Sequence, residues 1–168
     1  MNTTKQTSQE YFKLMQIIYF ALITGQIIFA IISFYLSNTE NFDFSTKELD
    51  KIFIYIVLIF VVGGFSGSTL FFRYKLSRIK NKTSLIEKMT EYRSALIIRY
   101  ALLETPSFFS LIAYLLTGNI LFLGLSAIII LFFLTIKPTK NRTIFELKLN
   151  VNERQTINNN NAIISNIK

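Results

Sequence analysis

The repetition of long apolar runs constrains this chain more than any other feature. A helix needs ~20 apolar residues, rising 1.5 Å each, to cross a hydrocarbon core of ~30 Å. Stretches 14–36, 52–72, 94–116 and 120–136 meet or approach that length, the last lying at the short limit. Backbone amides and carbonyls find no water inside lipid, so such runs are stable there only as helices that close their own hydrogen bonds. The expectation is an all-α membrane fold, a four-transmembrane-helix bundle occupying 14–136. The run at 14–36 exceeds the ~7–15 apolar residues of a signal peptide and no small-residue cleavage site follows it, so it reads as a retained span.

Charge supplies a second signal, independent of hydropathy. Lys5 and Lys13 lie in the segment 1–13 before the first span. Arg73, Lys75, Arg78, Lys80, Lys82, Lys88 and Arg93 crowd the connection 73–93 between spans two and three. The tail 137–168 adds Lys137, Lys140, Arg142, Lys148, Arg154 and Lys168. In contrast, Lys47 and Lys51 between spans one and two face Glu40, Asp43, Glu48 and Asp50, and Thr117-Gly118-Asn119 carries no charge. Positive segments alternate with the others in step with the spans. Basic short loops stay inside, so both termini and the 73–93 connection are expected in the cytoplasm of a multi-pass inner-membrane protein. This placement accounts for the net charge of +8 without nucleic acid. The expected partners are the bilayer, anionic lipid headgroups at the basic connection, and a second copy or other membrane proteins.

Local signals refine the connections. Ser84-Leu85-Ile86-Glu87 has the spacing of a capping box, so the third helix should begin near Leu85, well before the membrane. The second helix should continue past Phe72 toward Arg78, with a turn near Asn81-Lys82-Thr83, making a helical hairpin over 73–93. Pro138 should end the fourth span. Beyond it, Phe145, Leu147, Leu149 and Val151 alternate with polar residues as in a strand. Asn150-Val151-Asn152-Glu153 instead resembles a helix N-cap with Glu at N3. A lone strand cannot pair its edges, which favours short interfacial helices. The asparagine run 158–161 is low in complexity and expected to be disordered, leaving the tail partly folded.

Inside the spans, Glu104 stands out. A carboxylate near the midpoint of 94–116 costs about 2.5–3.5 kcal/mol on insertion scales, so it should face the bundle interior, either as a protonatable or cation-binding group or as a neutral hydrogen-bonding link. Arg99 precedes it by five residues, an angular offset of about 140° on a 3.6-residue helix, so the two do not share a face and Arg99 is expected to snorkel toward the cytoplasmic boundary. Pro106 removes the amide that would serve the Leu102 carbonyl and should kink the helix. Gln26, at similar depth in the first span, is a candidate hydrogen-bond partner for Glu104. In span two, Gly63 and Gly67 form GxxxG, and Gly64 and Ser68 form a second pair of small residues. Both pairs suit close helix packing.

The chain has no Cys and no His, which removes disulfides, thiol nucleophiles, Cys/His zinc sites and histidine acid–base chemistry. No nucleophile elbow, phosphate loop or calcium loop is present. No catalytic residue, metal or cofactor is expected, and no enzyme activity.

The residues Tyr92-Arg93-Ser94-Ala95-Leu96-Ile97-Ile98-Arg99-Tyr100-Ala101-Leu102-Leu103-Glu104, with Leu115-Leu116-Thr117-Gly118-Asn119 and Lys137-Pro138-Thr139, resemble a family of small bacterial four-helix membrane proteins that brings no known activity. A fainter similarity is to the proteolipid subunits of rotary ATPases, through Gly63, Gly64, Gly67 and the mid-span Glu104. The long basic connection, the missing glycine repeat and the nearby Arg99 depart from that pattern. The sequence therefore favours a structural or interaction component of a membrane complex, with a proton- or cation-coupled component acting through Glu104 as the alternative.

Overall fold

A computed structural model describes residues 4–39 and 47–167. The chain runs β1 (Thr4–Thr7), α1 (Ser8–Thr39), α2 (Lys47–Lys80), α3 (Leu85–Thr117), α4 (Ile120–Leu134), α5 (Lys140–Leu147), α6 (Val151–Asn158) and β2 (Ile163–Ile167). It is all-α apart from one two-stranded antiparallel ribbon, β1 against β2. Three helices, α1, α2 and α3, are long and apolar enough to cross a membrane. α4 is apolar but has only 15 residues. The acidic connection with Glu40 and Asp43 falls outside the described residues.

The helices extend beyond the apolar runs, as the local signals suggest. α2 continues to Lys80, the turn falls at 81–84, and α3 begins at Leu85. The reciprocal bonds of the Ser84–Glu87 box are absent among the described residues, because the Glu87 carboxylate accepts instead from Lys82 Nζ at 2.6 Å. At the other end of α3, Gly118 takes φ +66°, a left-handed conformation that glycine adopts without penalty. The Asn119 side chain then caps α4 by accepting from the Leu121 amide.

The described residues divide into two compact units. The first draws on Met1–Tyr19, Leu70–Arg99 and Lys137–Lys168. The segment 1–13 supplies β1 and the first residues of α1, which begins at Ser8, ahead of the apolar run that opens at Leu14. The tail is folded too. Lys148 at φ 51° ends α5, and the Asn150–Glu153 capping box, with both reciprocal bonds present, starts α6. The tail is thus helical where its alternation suggested a strand, because capping and burial of Leu147, Leu149 and Ile157 override a two-residue period. The asparagine run corrects the expectation of disorder. Asn159 Oδ1 accepts from the Asn161 amide, the Ala162 amide reaches the Asn159 carbonyl, and the Asn160 carbonyl accepts from Gln9. Side chains that bond to nearby backbone make asparagine a turn former, and β2 follows directly into its ladder with β1.

The second unit comprises Phe20–Thr69 and Tyr100–Ile136. Its interior includes Val57, Ala113, Tyr114 and Phe122, with Phe60 stacked on Phe109 at 4.7 Å between ring centroids. Its outer surface is apolar as well: Ile31, Ile59, Val62 and Leu131 are each more than 60% exposed. A helix surface apolar on both sides belongs in lipid or in a larger assembly.

Candidate functional site

The most concentrated charge lies in the first unit, where α3 meets α5 and α6. Glu146, on α5, accepts from Tyr92 Oη at 2.6 Å and from Arg142 Nε at 2.7 Å. The Arg99 guanidinium lies 3.9 Å from the same carboxylate and 4.4 Å from the centroid of Phe72. Arg99 is only 8% exposed, so its charge is met by a carboxylate and a ring face instead of by water. One turn into α3, Lys88 bonds Glu153 of α6 at 2.7 Å, again largely buried. Arg93 reaches the Gln6 side chain of β1 and the Asn166 carbonyl of β2. Tyr11 Oη donates to the Met89 carbonyl. Polar groups of α3 therefore hold every other element of this unit's periphery: the lead strand, the tail helices and the final strand.

Arg99, expected to snorkel, is buried with its guanidinium against the Glu146 carboxylate of the tail and the Phe72 ring. Sequence reasoning missed the cluster of Glu146, Arg142, Tyr92, Lys88 and Glu153. One signal was available, since Arg142 and Glu146 are spaced i, i+4 as a helical ion pair requires. The alternating apolar residues around them obscured it. Chemically, Glu146 accepts one hydrogen bond from a phenol and one from a guanidinium and pairs with a second guanidinium, an arrangement that suits fixed positioning.

The span candidates lie in the second unit. Glu104 is half-buried and has no hydrogen-bond or ion-pair partner among the described residues. Gln26 is fully buried, but its amide donates to the Leu22 carbonyl of its own helix, and its Oε1 is unsatisfied. The suggested Gln26–Glu104 bond is not made. Pro106 lies within α3, and the residues around it use local bonds: Thr105 donates to Ala101 O and Ser110 to Pro106 O. Gly64 packs against this place. A Cβ on Gly64 would stand 2.7 Å from the Leu102 oxygen and 2.7 Å from Pro106 Cγ. The carbonyl that Pro106 deprives of its amide is thus the one Gly64 lets α2 approach. Ser68, one turn on, is buried and donates to the Phe65 carbonyl. Gly63 and Gly67 differ, with nothing within 4 Å of either Cβ position. Of the two small-residue pairs, only the Gly64–Ser68 face is packed within this unit.

No three His, Cys, Asp or Glu side chains converge among the described residues. No family model, curated protein or solved structure matches the chain.

Proposed function

We propose that this chain is a multi-pass protein of the inner membrane whose four spans carry a folded cytoplasmic module, and that it acts as a structural or interaction component of a membrane complex, not as an enzyme. The observation that carries the topology is the β1–β2 ladder. Thr4 to Thr7 precede α1, and the paired β2 residues follow α6. Paired strands lie on one side of a membrane, so the number of crossings between them is even. α1, α2 and α3 are long enough for three, and on this reading α4 makes the fourth. Its 15 helical residues span about 22 Å. The apolar Ile136 beyond it and local thinning of the bilayer cover the remainder. The segment before α1, the α2–α3 hairpin and the tail share one compact unit, which agrees with the charge alternation that puts all three inside.

An interaction role is supported by the division of polar groups. The charged side chains that are buried hold the cytoplasmic unit together, and the Glu146 carboxylate is engaged by Tyr92, Arg142 and Arg99. The absence of native cysteine permits a clean test. Single cysteines at Thr83 and Asn159 should react with an impermeant maleimide only when the cytoplasmic face is open, and cysteines at Asn38 and Asn119 from the opposite face. Opposite labelling of Thr83 and Asn159 would rule out four crossings. Copurification in mild detergent then tests for assembly: a stoichiometric partner or a defined homo-oligomer is expected, and a lone monomer argues against the role.

A second reading is favoured by the unpartnered Glu104 carboxylate, namely a proton- or cation-coupled component. Under it, reconstituted protein conducts in a pH-dependent manner and Glu104→Gln abolishes the flux. Under the first reading there is no flux to abolish.

A further inference from the structure

We propose that the groove between α2 and α3 at Lys75, Arg78, Ser94 and Ile98 binds the headgroup of an anionic phospholipid. This rests on the reading that the chain spans a bilayer.

The groove encloses about 350 Å³ and lies wholly within the first unit. Lys75, Arg78 and Lys82 supply its cations, and Glu91 is the single acid on its wall. Glu91 is already engaged by Lys82 at 3.4 Å, and Lys82 is held further by Glu87 at 2.6 Å. Lys75 and Arg78 have no carboxylate partner among the described residues. Arg78 makes one hydrogen bond, to Tyr74 Oη at 3.3 Å, and otherwise lies 5.7 Å from the centroid of that ring. Lys75 Nζ stands 5.8 Å from the centroid of Phe71. Two cations with spare donors therefore face one cleft, backed by aromatic rings.

Depth identifies the anion. The apolar run of α2 ends at Phe72. At 1.5 Å per residue, Lys75 lies about 4.5 Å and Arg78 about 9 Å farther along the helix. The headgroup layer extends ~5–7 Å beyond the hydrocarbon on each face. Lys75 thus stands within the phosphate layer, and Arg78 about 2 Å beyond it, a gap its long side chain can span. On the facing helix, Ser94 opens the apolar run, and Ile97 and Ile98 follow with side chains exposed. Leu70, 66% exposed, lies on the hydrocarbon side of α2. A cationic cleft directly above exposed aliphatic side chains fits an amphiphile, with a phosphate above and acyl chains below. A basic pocket at the cytoplasmic ends of membrane helices is suited to that ligand.

The test uses the full chain, released from membranes with mixed lipid and examined by native mass spectrometry in the presence of equimolar phosphatidylglycerol and phosphatidylcholine. The wild type should retain phosphatidylglycerol selectively. Lys75→Gln/Arg78→Gln should lose that retention by on the order of 10–30-fold, as expected for two surface cations. The equally charge-reduced Lys13→Gln/Lys51→Gln should keep it, and so should the charge-conserving Lys75→Arg. Should the double variant elute as aggregate, the two single variants are read instead, each losing about fivefold. Unchanged retention in the groove variants overturns the proposal, as does equal loss in the distant pair. Displacement of the lipid by millimolar glycerol phosphate also overturns it, by identifying a site for free phosphate. Alkaline carbonate extraction separates this from failure of the topology: wild-type protein stripped from membranes defeats the spanning reading, whereas retained protein without lipid selectivity defeats only the groove.

Discussion

The two units of this protein satisfy buried polar groups in opposite ways. In the first, side chains reach across long stretches of sequence. Lys88 bonds Glu153, Tyr92 and Arg99 meet Glu146, and Thr90 lies beside Ser165. In the second, they turn back on their own helix. Ser68 donates to Phe65 O, Ser110 to Pro106 O, Thr117 to Ala113 O and Gln26 to Leu22 O. The difference follows from the solvent each unit is suited to. Where water competes, apolar burial drives association, and ion pairs among the buried groups set which elements meet. In hydrocarbon, apolar surface gives no such drive, a polar group without a partner is expensive, and the nearest carbonyl one turn back is always in reach.

The largest effect should come from breaking the first unit's central pair. Glu146→Ala leaves Arg99 and Arg142 without their shared carboxylate and Tyr92 without its acceptor. Removing one partner of a buried ion pair costs about 3–5 kcal/mol. Limited proteolysis should then cut within 137–167, while the apolar helices remain protected. If the variant were as resistant as wild type, the cluster would not be what fastens the tail.

In the second unit, shape matters more than charge. Gly64→Ala places a methyl against the Leu102 oxygen and the Pro106 ring, and overpacking of this kind costs about 1–3 kcal/mol. Gly63→Ala meets open space and should stay within about 0.5 kcal/mol of wild type. Thermal unfolding in detergent checks both. Equal effects at the two glycines would mean that the packing is not specific to the Gly64 face.

How much of this was legible in sequence depends on the same contrast. The apolar runs, the helical extensions past Phe72 and before Ser94, and the turn after Lys80 are local properties, and they are readable because periodicity and breakers act over a few residues. The small-residue pattern in α2 was visible, but which of its two faces packs depends on the position of Pro106 on another helix. The Arg99–Glu146 pair joins residues far apart in sequence, and no local signal marks such a partner. β1 and β2 escaped for a related reason. Each is short, four residues in β1 and five in β2, and becomes a strand only when the other lies beside it, so neither window carries its own evidence.

A smaller effect tests whether local capping or long-range pairing shapes the tail. Asn150 accepts from the Glu153 amide while Glu153 accepts from Asn150, and Glu153 also serves Lys88. Asn150→Ala should cost about 1 kcal/mol through the cap alone. Combined with Lys88→Met, the cost should depart from additivity, because both changes loosen Glu153, one at its backbone amide and the other at its carboxylate. Strict additivity in denaturant unfolding would show that cap and ion pair work independently.

The smallest predicted effect is the sharpest check on the second unit. Ser107 and Ser126 are its buried exception, two hydroxyls 3.1 Å apart on different helices. Either can donate, and each also has carbonyls within its own helix as an alternative partner. Such interhelical bonds average only ~0.6 kcal/mol in double-mutant cycles, with a maximum near 1.7, because the separated helices satisfy their hydroxyls locally. Ser107→Ala, Ser126→Ala and the double variant should therefore give a coupling near the lower figure, and the double variant should be close to wild type, since no polar group is left stranded. A coupling at the upper figure would mean that this unit also relies on specific cross-helix polar locks, and the contrast between the two units would narrow to one of charge.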